Sequence, residues 1–387
     1  MDYFHDMVFV GCFKDMGSQS VVEKPTLEAH RNKFRTYMVI EGKGGLRFLE
    51  KNFFPEIKQI AVPCKSPIVI DAKIDGGILS IIAGSDDFHT RPFSFNSEWF
   101  LREVFGDNRG IERQGVVLIG ESSPINIERD MALSVAKINK SRHNPIKLVA
   151  CQDFWGNSRN VAPDIKPDMA QVNDEYAAEL TLETYKHLRE KDVIVRGNPG
   201  VKNVVVSTGV QSEYNNLRKK FETVYFYAGG GEPETSEQLK ILGGCISKTN
   251  GNFCVVVGFH PKLVEKHGVI WRDIIAPFNR QIIEAKPGTG DEWASLADVT
   301  ISGHSTTMTT ALYSGKSAIS IRTPSIDKLY AERHMSMVPQ VAMGWTKSIE
   351  APVNLALVKR PSEEALEKLK PFDSELAFRS IVGLIER

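Results

Sequence analysis

The sequence predicts an α/β protein of two domains, each built on a parallel sheet covered by helices on both faces. Two observations carry this. Short, nearly all-apolar runs end in Gly, Ser, Asp or Pro, as strands buried on both faces do, and helix-length segments separate several of them. The alternation occurs once before residue 155 and again after residue 220, in a chain whose 387 residues suit two domains of ordinary size.

In the first half the strand-like runs are "MVFVGC", "YMVIEG", "LSIIAGSD", "VVLIGES" and "KLVACQD"; in the second they are "VYFYAGGG", "CVVVGFHP", "IIEAKP", "DVTISG" and "SAISIR". "TSEQLKILGGCIS" and "STTMTTALYSG" read as helices of the second half. Between the halves, the "GNPG" turn signal at 197–200 precedes a polar, helix-like run, which places the boundary within 200–220. The expected domains are 1–205 and 206–387. The tail "PSEEALEKLKPFDSELAFRSIVGLIER" carries two helical patterns broken at Pro371, and its last helix is able to pack on either domain.

Composition narrows the function classes. With 42% hydrophobic and 25% charged residues the chain is of globular type, and Lys plus Arg balance Asp plus Glu at 48 each, so no global basic excess points to a nucleic acid or membrane. The five cysteines, Cys12, Cys64, Cys151, Cys245 and Cys254, form no CxxC pair, which argues for reduced, mostly buried thiols. The start "MDYFHDMVFVGC" is acidic where a signal peptide is basic, and no apolar run reaches the about 18 residues of a membrane span. A cytoplasmic protein is expected.

In open α/β sheets ligands sit beyond the carboxyl ends of the strands. Three strand ends of the second half stand out. In "YAGGGEPE", Gly229, Gly230 and Gly231 let a ligand approach the backbone, or simply make a tight turn; the GxGxxG spacing is absent. In "VVVGFHPK", His260 follows a strand directly and Lys262 adds positive charge nearby; a strand-end structural histidine is the alternative. In "ADVTISGHSTTMTTALYSGKSAISI", Ser305, Thr306 and Thr307 begin a helix, where hydroxyls either cap free amides or extend a phosphate site.

"GFHPK" followed by that hydroxyl-rich stretch resembles the carboxyl-terminal half of nucleotide-sugar-dependent glycosyltransferases of the GT-B fold. Bacterial sialyltransferase-like and glycerophosphotransferase-like relatives carry a His-Pro motif and then a Ser/Thr-rich loop starting a helix. "YAGGG" is similar to the first strand-loop of the same half, while "GESSPINIERDMALSVAKINKSRHNPIKLVACQDFWGNSRN", "VNDEYAAEL" and "VRGNPG" look like the acceptor half of uncharacterised members. The resemblance implies two Rossmann-like domains facing a cleft, an amino-terminal acceptor domain and a carboxyl-terminal donor domain. It also implies that His260, Ser305, Thr306 and Thr307 hold the donor's phosphate; Gly229, Gly230 and Lys262 complete the expected phosphate site. Hydroxyls that cap the helix and, with its amides, bind phosphate satisfy both readings of the loop.

Transfer to a hydroxyl needs a base. Asp153, just beyond an apolar strand in "CQDFWGNSRN", is the leading candidate, with Trp155 offering a flat face for a sugar or base; capping of the next turn is the plainer role for that Asp. Glu121 and the pair Asp86 and Asp87 are rivals at strand ends, whereas Glu128 and Asp130 are expected on a solvated helix face. No DxD pair appears in a supporting setting, so neither a metal nor a cofactor is expected, the nucleotide-sugar being the donor substrate. The acceptor classes are a glycan, a lipid-linked sugar or a modified DNA base. Competing functions are a hydrolysing sugar-nucleotide epimerase, which needs several acidic groups around the sugar, a phage-type DNA-base glycosyltransferase, which needs a basic lining, and a noncatalytic nucleotide-sugar-binding protein.

Overall fold

Strands form where apolar and β-branched runs occur. The computed structural model describes residues 7–14, 16–41, 68–74, 77–84, 95–106, 112–121, 126–156, 158, 164–201, 203–260, 263–278, 281–332, 335–358 and 361–387. The chain divides into two units, Met1–Pro199 with Phe372–Arg387, and Gly200–Pro371. The division falls a few residues before the expected 205/206 boundary, and the chain's last helix, Ser374–Ile385, belongs to the first unit.

Among the described residues unit 1 has one sheet of eight strands: β1 (Val8–Phe13), β2 (Arg35–Glu41), β3 (Ile68–Ile74), β4 (Gly77–Gly84), β5 (Gly115–Gly120), β6 (Lys147–Cys151), β7 (Met169–Val172) and β8 (Val193–Val195). Their order is β3-β4-β2-β1-β5-β6-β7-β8, parallel throughout except for the β3/β4 pair at one edge. β1 and β5 are buried along their whole length because both faces are covered. One face packs Phe9, Phe13 and Leu118 against Phe378 and Ile381 of the last helix, with Phe34 edge-on to Phe9 at 5.9 Å and to Phe378 at 6.0 Å. Gln171, a polar residue inside β7, donates through Nε2 to Ala377 O at 2.7 Å and to Ser380 Oγ at 3.0 Å, which fixes that helix to the sheet. The other face packs Val117 and Ile119 against Leu101, Phe105 and Met131.

Among the described residues unit 2 has a six-stranded, all-parallel sheet of β9 (Thr223–Ala228), β10 (Phe253–Gly258), β11 (Ile282–Glu284), β12 (Val299–Ser302), β13 (Ser317–Ile321) and β14 (Lys347–Ile349), in the order β11-β10-β9-β12-β13-β14. The chain starts in the centre, winds outward through β10 and β11, then returns to lay β12 beside β9. That reversal opens a crevice between β9 and β12 at their carboxyl ends. The equivalent reversal in unit 1 lies between β1 and β5. Cys12, Cys151, Cys245 and Cys254 are free and buried, while Cys64 lies outside the described residues. Among the described residues no helix is long and apolar enough to cross a membrane.

Candidate functional site

The three stretches singled out in the second half leave the unit 2 sheet from one rung. Ala228 pairs with Gly258 on one side and with Ser302 on the other. The loops that begin at Gly229, Phe259 and Gly303 therefore emerge side by side at the crevice. Gly229 N donates to Gly258 O at 2.8 Å, continuing the ladder past the strand ends, and a Cβ on Gly230 would stand 3.9 Å from the His304 ring. The Gly230 amide bonds Thr235 Oγ1 at 3.0 Å. Glu232 accepts from Ser236 Oγ at 2.5 Å and from Trp271 Nε1 at 2.8 Å, and Glu234 opens the next helix. The glycine loop thus supplies room rather than positive charge.

Past β12 the chain bonds to itself through hydroxyls. Ser302 Oγ donates to Ala228 O at 2.7 Å and accepts from the Ser305 amide at 3.3 Å. Ser305 Oγ accepts from the Thr307 amide at 3.3 Å and lies 2.9 Å from Thr307 Oγ1. Capping of helix Thr307–Tyr313 is therefore done by Ser305; Thr306, at the cap position itself, makes no capping bond and is exposed. A Cβ at Gly303 would meet Gln238 Nε2 at 2.3 Å, so a larger residue there must displace that side chain. His260 is exposed, its carbonyl accepting from Leu263 and Val264, and Lys262 lies outside the described residues. His304, between Gly303 and Ser305, is a further polar group of this loop that no strand-end pattern marks; it packs edge-on against Tyr330 at 5.8 Å.

In unit 1 the corresponding helix start is already occupied. Glu41, at the end of β2, accepts from the Ile127 amide at 2.7 Å through Oε2, and its Oε1 lies 3.4 Å from Lys14 Nζ. Glu128 accepts from the Lys14 amide at 3.2 Å and from Asn126 Nδ2 at 2.8 Å, and it is fully buried. This corrects the expectation of a solvated Glu128, because the first turn of the Ile127–Asn139 helix faces the β1 and β2 ends; Asp130 is exposed as expected.

The candidate base residues lie on the other flank of β5. Glu121, one residue past β5, is buried, and burial lifts its carboxyl to about 7; Tyr185 Oη donates to its Oε1 at 2.5 Å and partly offsets the rise, while the nearby Asp153 charge adds to it. Asp153 is half-buried and its carbonyl accepts from Asn173 Nδ2 at 3.2 Å. Arg196, buried beyond β8, donates to Gln152 O at 2.6 Å and stacks 4.9 Å over the Phe372 ring. Burial pulls its guanidinium down to about 10, opposed by its electrostatic interactions with Cys151, Asp153 and Glu121. Trp155 does not offer an open face: it is fully buried, with its Nε1 donating at 2.6 Å to Asp174, whose carboxylate also caps the Glu175–Thr184 helix. The buried carboxylate needs donors and the indole supplies one. Asp86 and Asp87 lie outside the described residues. Among the described residues no group of three or more His, Cys, Asp or Glu is placed to hold a metal ion.

No family model matches the chain, and no curated protein matches it. Solved structures do. A glycosyltransferase from Rickettsia africae superposes with a TM-score of 0.57 at 10% identity, over 98% of this chain and 98% of that one. The two parallel-sheet α/β units find the same match in the apo form of the lipopolysaccharide outer core galactosyltransferase WaaB, with a TM-score of 0.55 at 14% identity over 98% and 99%. The fold is of the GT-B type. The UDP-GlcNAc 2-epimerase from Neisseria meningitidis bound to UDP-GlcNAc shares it as well, with a TM-score of 0.54 at 13% identity over 98% and 99%. The GT-B architecture thus serves both transfer and epimerisation among the neighbours.

Proposed function

We propose that the protein is a glycosyltransferase moving a sugar from a nucleotide-sugar to a hydroxyl-bearing acceptor, with unit 2 holding the donor's phosphate and unit 1 supplying the base. The observation that carries the reading is the contrast between the two sheet reversals. In unit 1 the protein's own carboxylate, Glu41, fills the helix start, whereas in unit 2 the amides of Ser305, Thr307 and Met308 bond neutral oxygens and leave the exposed Thr306 hydroxyl at the crevice. The first position is filled by an acid paired with Lys14, whereas the second presents neutral oxygens and an exposed hydroxyl where an anionic ligand meets no carboxylate.

In this reaction the acceptor oxygen bonds to the anomeric carbon, the bond from that carbon to the phosphate oxygen breaks, and the nucleotide leaves with the electron pair. Ser305, Thr306, Thr307, His260 and His304 are the groups assigned to the leaving phosphate. Asp153 is assigned the acceptor's proton. Glu121 is the second candidate, since a carboxyl at about 7 exchanges protons near neutral pH. The reading requires no cofactor besides the donor substrate, and the acceptor is a glycan, a lipid-linked sugar or a modified DNA base.

A hydrolysing sugar-nucleotide epimerase is the second reading. It is favoured by the carboxylates Glu41, Glu121 and Glu128, all buried at the strand ends of unit 1, and by the epimerases among the structural neighbours. Incubation with a panel of nucleotide-sugars, with and without mixed acceptor glycosides, separates the two. Acceptor-dependent formation of a new glycoside supports the transferase, while free epimerised sugar and nucleotide formed without acceptor support the epimerase.

A further inference from the structure

Unit 1 holds a layer of buried polar groups that its own fold leaves incomplete. Glu121, Gln152, Asn173 and Arg196 each stand one residue past β5, β6, β7 and β8, four strands that are successive neighbours in the sheet. All four are buried, at 1%, 0%, 2% and 1% exposure. Both amide atoms of Gln152, Oδ1 of Asn173 and Nε of Arg196 have no hydrogen-bond partner among the described residues. A buried polar atom without a partner destabilises a fold, and native proteins carry few of them. Such atoms on three adjacent strand ends point to a ligand that pairs with them.

The chemistry of the layer selects that ligand. Gln152 Nε2 and Arg196 Nε donate, while Gln152 Oε1 and Asn173 Oδ1 accept, and a hydroxyl is the group that meets both kinds, since it donates once and accepts twice. The guanidinium already stands beside the carboxyl groups of Asp153 and Glu121, which oppose its charge and leave little attraction for an anionic ligand. Asp153, only half-buried, forms the layer's accessible edge. We propose that Glu121, Gln152, Asp153, Asn173 and Arg196 form a subsite for an uncharged, polyhydroxylated ring, that is, a neutral sugar. The proposal deepens the transferase reading of unit 1 as the acceptor half and rests on it for the ring's role as acceptor.

The test uses methyl β-D-glucopyranoside and methyl β-D-galactopyranoside as neutral probes and glucuronate as the anionic one, measured by saturation-transfer NMR and calorimetry on the full chain. Gln152→Leu is the main variant, because the Gln152 side chain makes no hydrogen bond among the described residues; Gln152→Met replaces it if the Leu protein does not fold. We expect a neutral glycoside to bind the wild type, to bind the folded variant about tenfold or more weakly, and to outcompete glucuronate, with binding of UDP, CMP, CDP, GDP and dTDP the same in both proteins. The proposal is overturned by unchanged glycoside affinity in the variant, by tighter binding of glucuronate, or by no glycoside binding to the wild type. Glycoside binding without any nucleotide binding would count against the transferase reading and leave the subsite standing.

Discussion

Replacing Glu121 by Gln tests the electrostatics of unit 1 without reference to any substrate. Burial raises the Glu121 carboxyl from its ordinary 4.5 to about 7. Between these values the folded protein holds the proton and the unfolded chain has released it. The folded state then binds more protons, so Glu121 costs stability progressively as pH rises from 4.5 to 7, and the full cost persists above 7. The difference, 7 − 4.5 = 2.5 pH units, corresponds to about 3 kcal/mol at 1.36 kcal/mol per unit. Gln keeps an oxygen for the Tyr185 hydroxyl and has no charge to desolvate. Whatever its amide costs is the same at every pH, so the comparison at about pH 4 and about pH 8 isolates the carboxylate. Relative to wild type, Glu121→Gln is expected to gain about 6–12 °C in melting temperature on going from the lower to the higher pH, followed for both proteins by near-ultraviolet circular dichroism. A gap that stays constant or narrows as pH rises would refute the assignment of Glu121 as a desolvated acid.

Three further outcomes are expected. Asp153→Asn lowers turnover by about 100-fold or more with nucleotide affinity nearly unchanged, since general-base catalysis contributes in that range; retained activity transfers the role to Glu121, and a fall in nucleotide affinity alone moves Asp153 to the donor. His260→Ala weakens nucleotide binding by about 1–3 kcal/mol in calorimetry, and an unchanged affinity removes His260 from the phosphate site. Gly115→Ala, whose Cβ would stand 1.9 Å from the Val8 carbonyl oxygen, forces β1 and β5 apart and destabilises unit 1 by about 3 kcal/mol or more; a variant that melts with the wild type contradicts that packing.

Strands that are both long and apolar were legible in the sequence. "VVLIG", "VYFYA", "CVVVG" and "SAISI" announce β5, β9, β10 and β13 because burial on both faces leaves no charged position to blur the run. β7, β8 and β14 carry no clear strand mark: "MAQV" and "KSI" hold polar residues, and "VIV" is a three-residue run just before the "GNPG" turn signal. β3 was missed because it is an antiparallel addition at the opposite edge of unit 1, outside the strand-helix alternation.

The site divides along the same line. That His260, Ser305 and the glycines of 229–231 follow strands was readable locally, and the shared rung at Ala228 is what the sheet adds. Contacts between distant segments were not readable. Tyr185 on Glu121, Glu41 on the Ile127 amide and Asp174 on Trp155 join residues from separate elements, and nothing beside them in the chain marks the partner. Glu128 looked solvated for this reason, and Trp155 looked open. Gln152, Asn173 and Arg196 carry no mark in the sequence because each alone is an ordinary polar residue after a strand; only the order β6-β7-β8 makes them neighbours.

The central claim is that the hydroxyl loop past β12 holds a nucleotide's phosphate. Thermal shift against UDP, CMP, CDP, GDP and dTDP, run on the wild type and on the Ser305→Ala, Thr306→Ala double variant, tests it most directly, because a ligand that binds only the folded state raises its melting temperature by mass action. The account predicts that at least one nucleotide stabilises the wild type, and that its shift falls by an amount matching a loss of about 1–3 kcal/mol in affinity in a double variant that remains folded. Equal shifts in the two proteins, or no shift with any of the five nucleotides, would contradict it.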